Sequence, residues 1–180
     1  MQFNVAQLLR ASTGTSRRYE VNEPASELQA LLDIDDVRVR SPIQGVVTLM
    51  RTTEGILVTG TLETALELVC DRCLDPFEIP VRVELEESFR PIIDIRSGAV
   101  LPRIAGEELA TLIDEHHILD IAEVVRQRTL LAIPVHPVCR PDCAGLCPQC
   151  GQRLNEGQCQ CENETIDPRW SKLQALLYEK

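Results

Sequence analysis

The sequence predicts an α+β fold, in which an antiparallel β-meander and one packed helix are followed by a cysteine-rich C-terminal segment. Apolar and polar residues alternate with period 2 through most of residues 43–89, as half-buried strands require. Apolar residues recur at helical spacing over residues 120–132. Most of the cysteines lie in residues 139–161, which lack any periodicity. The chain has 180 residues, 44% of them hydrophobic, and is long enough to bury one full core.

The first 40 residues contain only short elements. Residues 4–9 have the pattern of a short helix, and residues 18–21 and 37–39 have the pattern of short strands.

The meander is predicted from three consecutive alternating segments. The first strand covers residues 43–49, and after a turn at residues 52–55 the same apolar parity continues through residues 56–70. The third strand, residues 77–90, alternates apolar with charged side chains. Because the connections are short, the strands are predicted to pair in antiparallel fashion with one polar face. Pro80 predicts that the third strand is an edge strand or carries a bulge.

One helix is predicted to pack on this sheet after a long connection over residues 96–116. Asp120 and Glu123 have the spacing of a capping box, and Pro134 ends the helical pattern. The apolar positions of this helix are Ile121, Val124, Val125 and Leu131.

The chain divides into three predicted parts. Residues 1–133 form the α+β domain, residues 134–162 a cysteine-rich zinc-binding segment, and residues 163–180 a short C-terminal helix or tail. The last helix is predicted from Asp167-Pro168, a capping residue followed by proline at the first helical position. Its apolar stripe consists of Trp170, Leu173 and Leu177.

Four of the eight cysteines have the spacing of a compact metal site. Cys147 and Cys150 form a C-x-x-C pair followed by Gly151, which permits the backbone to bend around a metal. Cys159 and Cys161 are the nearest partners in sequence. We therefore predict one four-sulfur zinc site from these cysteines.

The other four cysteines predict a second site that joins distant parts of the chain. Cys70 and Cys73 form a C-x-x-C pair at the connection between the second and third strands, and Cys139 and Cys143 are left to complete their site. His136 is an alternative ligand, because neutral imidazole binds zinc well and His136 lies three residues before Cys139.

Two roles without a metal fit these cysteines less well. Cys70 and Cys73 could be small buried apolar residues, but their spacing and the six further cysteines favour metal binding. A redox pair of the thioredoxin type belongs at a strand-to-helix turn, whereas this pair joins two strands. With four protein ligands per ion, two Zn²⁺ sites would be structural, with no open position for a substrate.

Composition and missing motifs restrict the function classes. The formal net charge is −10, so the chain lacks the basic surface with which most nucleic-acid binders neutralise phosphates. Phosphate-binding loops and the signatures of dinucleotide-binding, zinc-protease and serine-hydrolase sites are absent from the sequence. We expect no enzymatic activity, no small-molecule substrate and no membrane association. The lack of a secretory signal predicts a cytoplasmic protein, and in that reducing compartment closely spaced cysteines are more typical of metal ligands than of disulfides.

The sequence resembles the YceD family, also called large ribosomal RNA subunit accumulation proteins, from Phe3 to Leu177. The segments that carry the resemblance are FNVAQLL, VCDRCL, LAIPVHPVC, CRPDCAGLCPQCGQRLNEGQCQC and DPRWSKLQAL. This resemblance implies a non-enzymatic role in the accumulation of large-subunit ribosomal RNA. Cys70 and Cys73 match a motif that is present even in short family members. Those short members also keep a His and a Cys after the helix, which favours a first site that uses His136, Cys139 or Cys143.

The resemblance and the acidity together predict a factor in large ribosomal subunit biogenesis that uses protein contacts. The expected partner is a large-subunit assembly intermediate or a basic ribosomal protein. One alternative is direct RNA binding through the zinc segment, with Arg140, Arg153 and Arg169 on phosphates. A further alternative, with less support, is an RNA-processing hydrolase.

Overall fold

The computed structural model describes residues 1–34, 36–102, 106 and 108–161, which contain eight strands and three α-helices. In chain order the elements are β1 (Gln2–Asn4), α1 (Ala6–Arg10), β2 (Ser16–Glu23), α2 (Ala25–Leu32), β3 (Arg38–Val39), β4 (Ile43–Arg51), β5 (Ile56–Val69), β6 (Pro76–Pro91), β7 (Leu112–Ile113), β8 (Ile118–Asp120) and α3 (Ala122–Ala132). The predicted helix within residues 163–180 lies outside the described residues.

The predicted meander is confirmed as the centre of a six-stranded sheet. Its strand order is β2-β4-β5-β6-β7, and the short strand β3 also pairs with β5, at residues 66–67. All pairs are antiparallel except β6 with β7. Strands β1 and β8 form a separate antiparallel pair. The α+β fold class with an antiparallel sheet is therefore confirmed.

Burial alternates along β5 and β6 as the sequence predicts. Val58, Leu62 and Leu66 of β5 are buried, as are Val81 and Leu85 of β6, and the residues between them are mostly exposed or half-buried. One face of the sheet thus forms the core, which α3 covers by packing against β6 and α2. The opposite face of β5 and β6 is polar.

Two glycines allow β4 and β5 to approach closely. A Cβ atom on Gly45 would lie 2.1 Å from the carbonyl oxygen of Thr61, and one on Gly60 would lie 2.4 Å from that of Val46. Glycines within strands mark such close approaches of neighbouring backbones. Side chains at these two positions would therefore force the strands apart.

The predicted capping box of α3 is wrong. Asp120 ends β8, and its Oδ1 accepts a hydrogen bond of 2.8 Å from the N–H of Ala122, one residue earlier than a capping box requires. Glu123 instead pairs with Arg126, whose hydrogen bond lowers the pKa of the Glu123 carboxyl. The helix begins after Ile121 with no side-chain cap.

The predicted apolar stripe of α3 is partly wrong as well. Val124 and Val125 are buried, but Leu131 is 79% exposed. The third inward position is Thr129, whose hydroxyl donates to the carbonyl of Val125 at 2.7 Å. The helix therefore turns Thr129 toward the core and Leu131 toward solvent.

The N-terminal region contains a helix that the sequence pattern does not predict. Helix α2 follows Pro24 and buries Leu28 and Leu32. The Gln29 side chain hydrogen-bonds the backbone at Val37 and Val39, which ties α2 to β3. The predicted strands in this region are present, and β2 is longer than predicted.

The two remaining features concern β6 and the connection that follows it. Pro80 lies opposite Ala65 of β5, at a stretch of β6 that has no second partner among the described residues. It is therefore at an edge, as predicted. The connection over residues 96–116 contains a 3-10 turn at Leu109–Thr111 and also strand β7, which the sequence pattern does not predict.

Candidate metal centres

The connection between β5 and β6 forms a tight turn, the first knuckle, over residues 70–75. The N–H of Leu74 donates to the carbonyl of Cys70 at 2.9 Å, and the N–H of Cys70 donates to the carbonyl of Asp75 at 3.0 Å. Leu74 has a left-handed backbone with φ of 59°. This conformation reverses the chain immediately after Cys73.

Residues 147–152 repeat this arrangement as the second knuckle. The N–H of Gly151 donates to the carbonyl of Cys147 at 2.9 Å, and the N–H of Cys147 donates to the carbonyl of Gln152 at 2.8 Å. Gly151 has a φ of 73°, so it takes the same left-handed position after Cys150 that Leu74 takes after Cys73. The two C-x-x-C pairs thus share one local backbone structure.

The first centre is the group of Cys70, Cys73, Cys139 and Cys143. Their sulfur atoms all lie within 4.8 Å of one another. The Sγ atoms of Cys70 and Cys143 are 3.9 Å apart, and those of Cys73 and Cys139 are 3.8 Å apart. These separations are far longer than a disulfide bond of about 2.05 Å. A tetrahedral ion with metal–sulfur bonds of about 2.3 Å places its sulfurs about 3.8 Å apart, so the group fits such an ion.

The second centre is the group of Cys147, Cys150, Cys159 and Cys161, whose sulfur atoms also lie within 4.8 Å of one another. The two centres differ in exposure. In the first centre only Cys139 is partly exposed, whereas in the second only Cys147 is buried and Cys150 is exposed. Solvent and chelators therefore reach the second centre more readily.

His136 is placed apart from the sulfur atoms of the first centre. Its side chain is 86% exposed, and its Nδ1 lies 3.1 Å from Oδ2 of Asp71. The structure brings the sulfur of Cys143, and not this imidazole, into the four-membered group with Cys70. Which residues bind an ion in solution stays a prediction.

Backbone N–H groups favour one ionised thiol in the first centre. Burial raises the pKa of Cys70, but backbone donors outweigh it and lower the pKa to about 6. Two of these donors are the N–H groups of Arg72 and Cys139, each 3.4 Å from the sulfur. For Cys73, the N–H of Asp75 lowers the pKa, but burial and the neighbouring thiols prevail and raise it to about 12.

The second centre has the same electrostatic pattern. The N–H groups of Cys150 and Gln149 lower the pKa of Cys147 to about 6. Hydrogen bonding to Cys150, together with burial, raises the pKa of Cys161 to about 12. Four clustered sulfurs cannot all ionise without a compensating positive charge, which a bound cation would supply.

Two residues connect the centres: sequence reasoning missed Asn155, and it considered Arg153 only as a phosphate contact. The Nδ2 group of Asn155 donates to the sulfur of Cys143 at 3.2 Å and lowers the pKa of that thiol. The guanidinium of Arg153 lies 2.8 Å from Oδ1 of Asp75 in the first knuckle. No spacing signals these contacts, because they join loops that are distant in sequence.

Fold and site together define an α+β protein in which a cysteine-rich segment follows the last helix. The chain's cysteines form two groups that could hold metal ions. Within the described residues, no helix is long and apolar enough to cross a membrane. The profile of the family described as "Large ribosomal RNA subunit accumulation protein YceD" matches residues 58–177. The chain belongs to the YceD family.

Individual relatives support this membership. An uncharacterized protein of Mycobacterium tuberculosis is 38% identical over 148 residues, which cover 82% of this chain and 63% of the relative. The Arabidopsis thaliana protein named "Large ribosomal RNA subunit accumulation protein YCED homolog 1, chloroplastic" is 25% identical, with coverages of 91% and 56%. A Zea mays protein of the same name is 26% identical, with coverages of 75% and 54%. The chain therefore spans less than two thirds of the length of these relatives, and no solved structure matches it.

Proposed function

We propose that this protein is a non-enzymatic factor in large ribosomal subunit biogenesis that supports the accumulation of large-subunit ribosomal RNA. The observation that carries the proposal is the match of residues 58–177 to a family described by that process. We further propose a cytoplasmic location, since eight free thiols in two metal-type clusters suit a reducing compartment.

The proposed cofactor is Zn²⁺, with one ion in each centre. Four sulfurs at tetrahedral spacing suit zinc, which prefers closed four-thiolate sites in structural roles. A bound ion would supply the positive charge that permits all four thiols to ionise. Because every ligand position is filled by protein, we assign the ions a role in folding and none in catalysis.

Metal analysis tests this assignment directly. Protein purified without chelator is expected to carry two zinc ions per chain by native mass spectrometry. The double variant Cys147→Ser/Cys150→Ser is expected to carry one. Wild-type protein with well under two ions, or a double variant that still carries two, would contradict the assignment.

The proposed partner surface is the acidic face, defined as the polar side of β5 and β6. Glu67 and Glu78 are directly opposite each other on the two strands, and Arg40 pairs with Glu67 and lies 3.9 Å from Glu78. Like charges in this register repel, so Arg40 relieves only part of their repulsion. The glutamates of this face are Glu63, Glu67, Glu78, Glu84 and Glu86.

Such a face favours a basic partner. Glu84 and Glu86 are exposed and stand opposite uncharged threonines of β5. Glu84 lies 3.6 Å from Arg82, whereas Glu86 has no ion pair among the described residues, so the charge of Glu86 remains available to a partner. Complementary charge accelerates encounter and orients the partners. A basic large-subunit ribosomal protein, alone or within an assembly intermediate, has this chemistry.

The arginines near the centres support protein contact over direct RNA binding. Arg72 donates to the carbonyls of Pro141 and Cys143, at 3.2 and 3.0 Å. Arg169 lies outside the described residues, whereas Arg140 donates to Asn155 at 2.8 Å and Arg153 pairs with Asp75. These guanidinium groups are held by internal partners, so phosphate binding would compete with contacts that shape the segment.

Copurification with a matched pair of charge variants tests the partner. Tagged wild-type chain is expected to recover large-subunit precursor particles or a basic ribosomal protein, and less of either as salt increases. Glu84→Lys/Glu86→Lys should lose this recovery. Glu54→Lys/Glu115→Lys, which changes net charge equally at exposed positions outside the acidic face, should retain it.

Two results would favour a different function. Tight binding of purified chain to large-subunit RNA fragments at physiological salt, with no protein recovered, would favour direct RNA binding. RNA cleavage that is abolished by substitution of an acidic residue would favour a hydrolase.

A further inference from the structure

Asn155 belongs in sequence to the second centre but contacts the first. It lies in the loop between Cys150 and Cys159, and its Nδ2 is 3.2 Å from the sulfur of Cys143. Cys143 is a buried member of the first centre. A side chain from the loop that closes the second centre therefore donates a hydrogen bond to a sulfur of the first centre.

Two further contacts fix the orientation of the Asn155 amide. Its Oδ1 accepts from the N–H of Ala144 at 2.9 Å and from the guanidinium of Arg140 at 2.8 Å. Both groups are donors only, so the oxygen must face them. The NH₂ group is consequently the one that faces Cys143.

Neighbouring residues hold this loop against the first centre. The N–H of Leu154 donates to the carbonyl of Gly145 at 2.9 Å, and Arg153 lies 2.8 Å from Asp75. Gly145 itself approaches the first knuckle, because a Cβ atom there would lie 3.0 Å from the carbonyl oxygen of Arg72. The two residues before Asn155 are thus placed by the closed form of the cysteine-rich segment.

We propose that Asn155 is a positioning residue through which closure of the second centre strengthens metal binding at the first, so that the two centres bind metal cooperatively. The inference rests on the proposed metal binding. Hydrogen bonds to a metal-bound ligand orient that ligand, and their loss typically lowers metal affinity about 10- to 100-fold. By linkage, metal in the first centre must favour closure of the second by the same factor.

The experiment uses the whole 180-residue chain loaded with cadmium-113, whose NMR spectrum gives one signal for each four-sulfur centre. A competing chelator is added stepwise, and the loss of each signal gives the affinity of each centre. The main variant is Asn155→Asp, which keeps an oxygen for Ala144 but removes the N–H donor to Cys143. Gln158→Glu is the control, because it makes the same amide-to-carboxylate change at an exposed position of the same loop.

We expect Asn155→Asp to shift the cadmium signal of the first centre and to lower its affinity roughly 10-fold or more, whereas Gln158→Glu does neither. Cys147→Ser/Cys150→Ser should lower first-centre affinity similarly. Adding Asn155→Asp to that double variant should then have little further effect, since the loop is already open.

Three outcomes have distinct meanings. The coupling is overturned if Asn155→Asp binds two ions and its first-centre signal and affinity are unchanged. This result decides the question even if the double-cysteine variant fails to fold. Fully additive effects of Asn155→Asp and the double-cysteine change also overturn it. Binding of fewer than two ions by wild-type chain contradicts instead the metal assignment on which the inference rests.

Discussion

The residue after each C-x-x-C pair has a left-handed backbone, but only one of the two is glycine. A left-handed conformation costs a non-glycine residue on the order of 1 kcal/mol. Leu74, with φ of 59°, bears this cost in the first knuckle, and Gly151 avoids it in the second. The two knuckles therefore offer reciprocal substitutions at equivalent positions.

We expect Leu74→Gly to keep both metal ions and to raise the free energy of unfolding by up to about 1 kcal/mol, because Leu74 is mostly exposed and little burial is lost. Gly151→Ala should lower it by about 1–2 kcal/mol. Urea denaturation of metal-loaded protein measures both changes.

Gly157→Ala is the control for these substitutions, since Gly157 has no positive φ and a Cβ atom there would meet no other atom within 4 Å. Its effect should stay within about 0.5 kcal/mol. A destabilising Leu74→Gly substitution would mean that the leucine side chain is needed in the first knuckle.

Two thiols set the response to acid. The pKa of Cys70 and that of Cys147 are each lowered to about 6, so each thiolate stabilises the folded chain fully above the ordinary thiol pKa. That contribution decreases as the pH falls below the ordinary thiol pKa and is lost below about 6. Since protons and metal compete for the same sulfurs, acidification should also lower metal affinity.

Metal content after dialysis over a series of pH values tests this expectation. Both ions are expected to be retained at neutral pH and lost on acidification below the pKa of about 6 that these thiols have without metal, because protons and metal compete for the same sulfurs. Metal content that is the same at neutral pH and in strong acid would contradict thiolate ligation.

At the scale of elements, burial along the long strands determines the effect of truncation. Leu62 lies in the middle of β5 and is fully buried, whereas Leu131 at the end of α3 is 79% exposed. We expect Leu62→Ala to lower the free energy of unfolding by about 2–5 kcal/mol. The same substitution at Leu131 should change it by no more than about 0.5 kcal/mol. Equal effects in denaturant unfolding would place Leu131 in the core and contradict the described packing of α3.

Leu62 and Leu131 also illustrate which parts of the fold could be predicted from sequence. Strands β5 and β6 are long, and one apolar face of a long strand leaves an alternation that is easily recognised. Over eleven residues of α3, a buried Thr129 and an exposed Leu131 blur the helical period. Short elements such as α2 depend on tertiary contacts, among them those of Gln29, that no local pattern encodes.

At the scale of the whole molecule, the protein consists of a sheet with an apolar core and a segment with few buried apolar residues. Among the described residues, none after Thr129 contributes a buried aliphatic or aromatic side chain. We therefore expect a chelator to abolish hydrogen-exchange protection in residues 134–161 while β4, β5 and β6 remain protected. Cys147→Ser/Cys150→Ser should lose protection in residues 147–161 without chelator. Simultaneous loss of protection in the strands would show that the core also depends on metal.

The partition of eight cysteines into two groups could be predicted from proximity in sequence, because Cys159 and Cys161 are the nearest partners of the Cys147–Cys150 pair and leave Cys139 and Cys143 for Cys70 and Cys73. The structure forms the same two groups. Asn155 and Arg153 could not be predicted, since an asparagine or arginine between cysteines has no spacing rule. Their importance depends on how the two loops pack against each other.

The two centres close loops of very different length, and this difference bears on the order of events during refolding. All ligands of the second centre lie within residues 147–161, whereas the first joins Cys70 to Cys143 across β6 and α3. Short loops close faster and lose less chain entropy than long ones. In a chain that refolds from denaturant, the second centre can fill without any paired strand, but the first must wait for β6 and α3 to pack. Metal would then act first on the local centre, and the long-range closure that fastens the segment to the sheet would be the last step of folding.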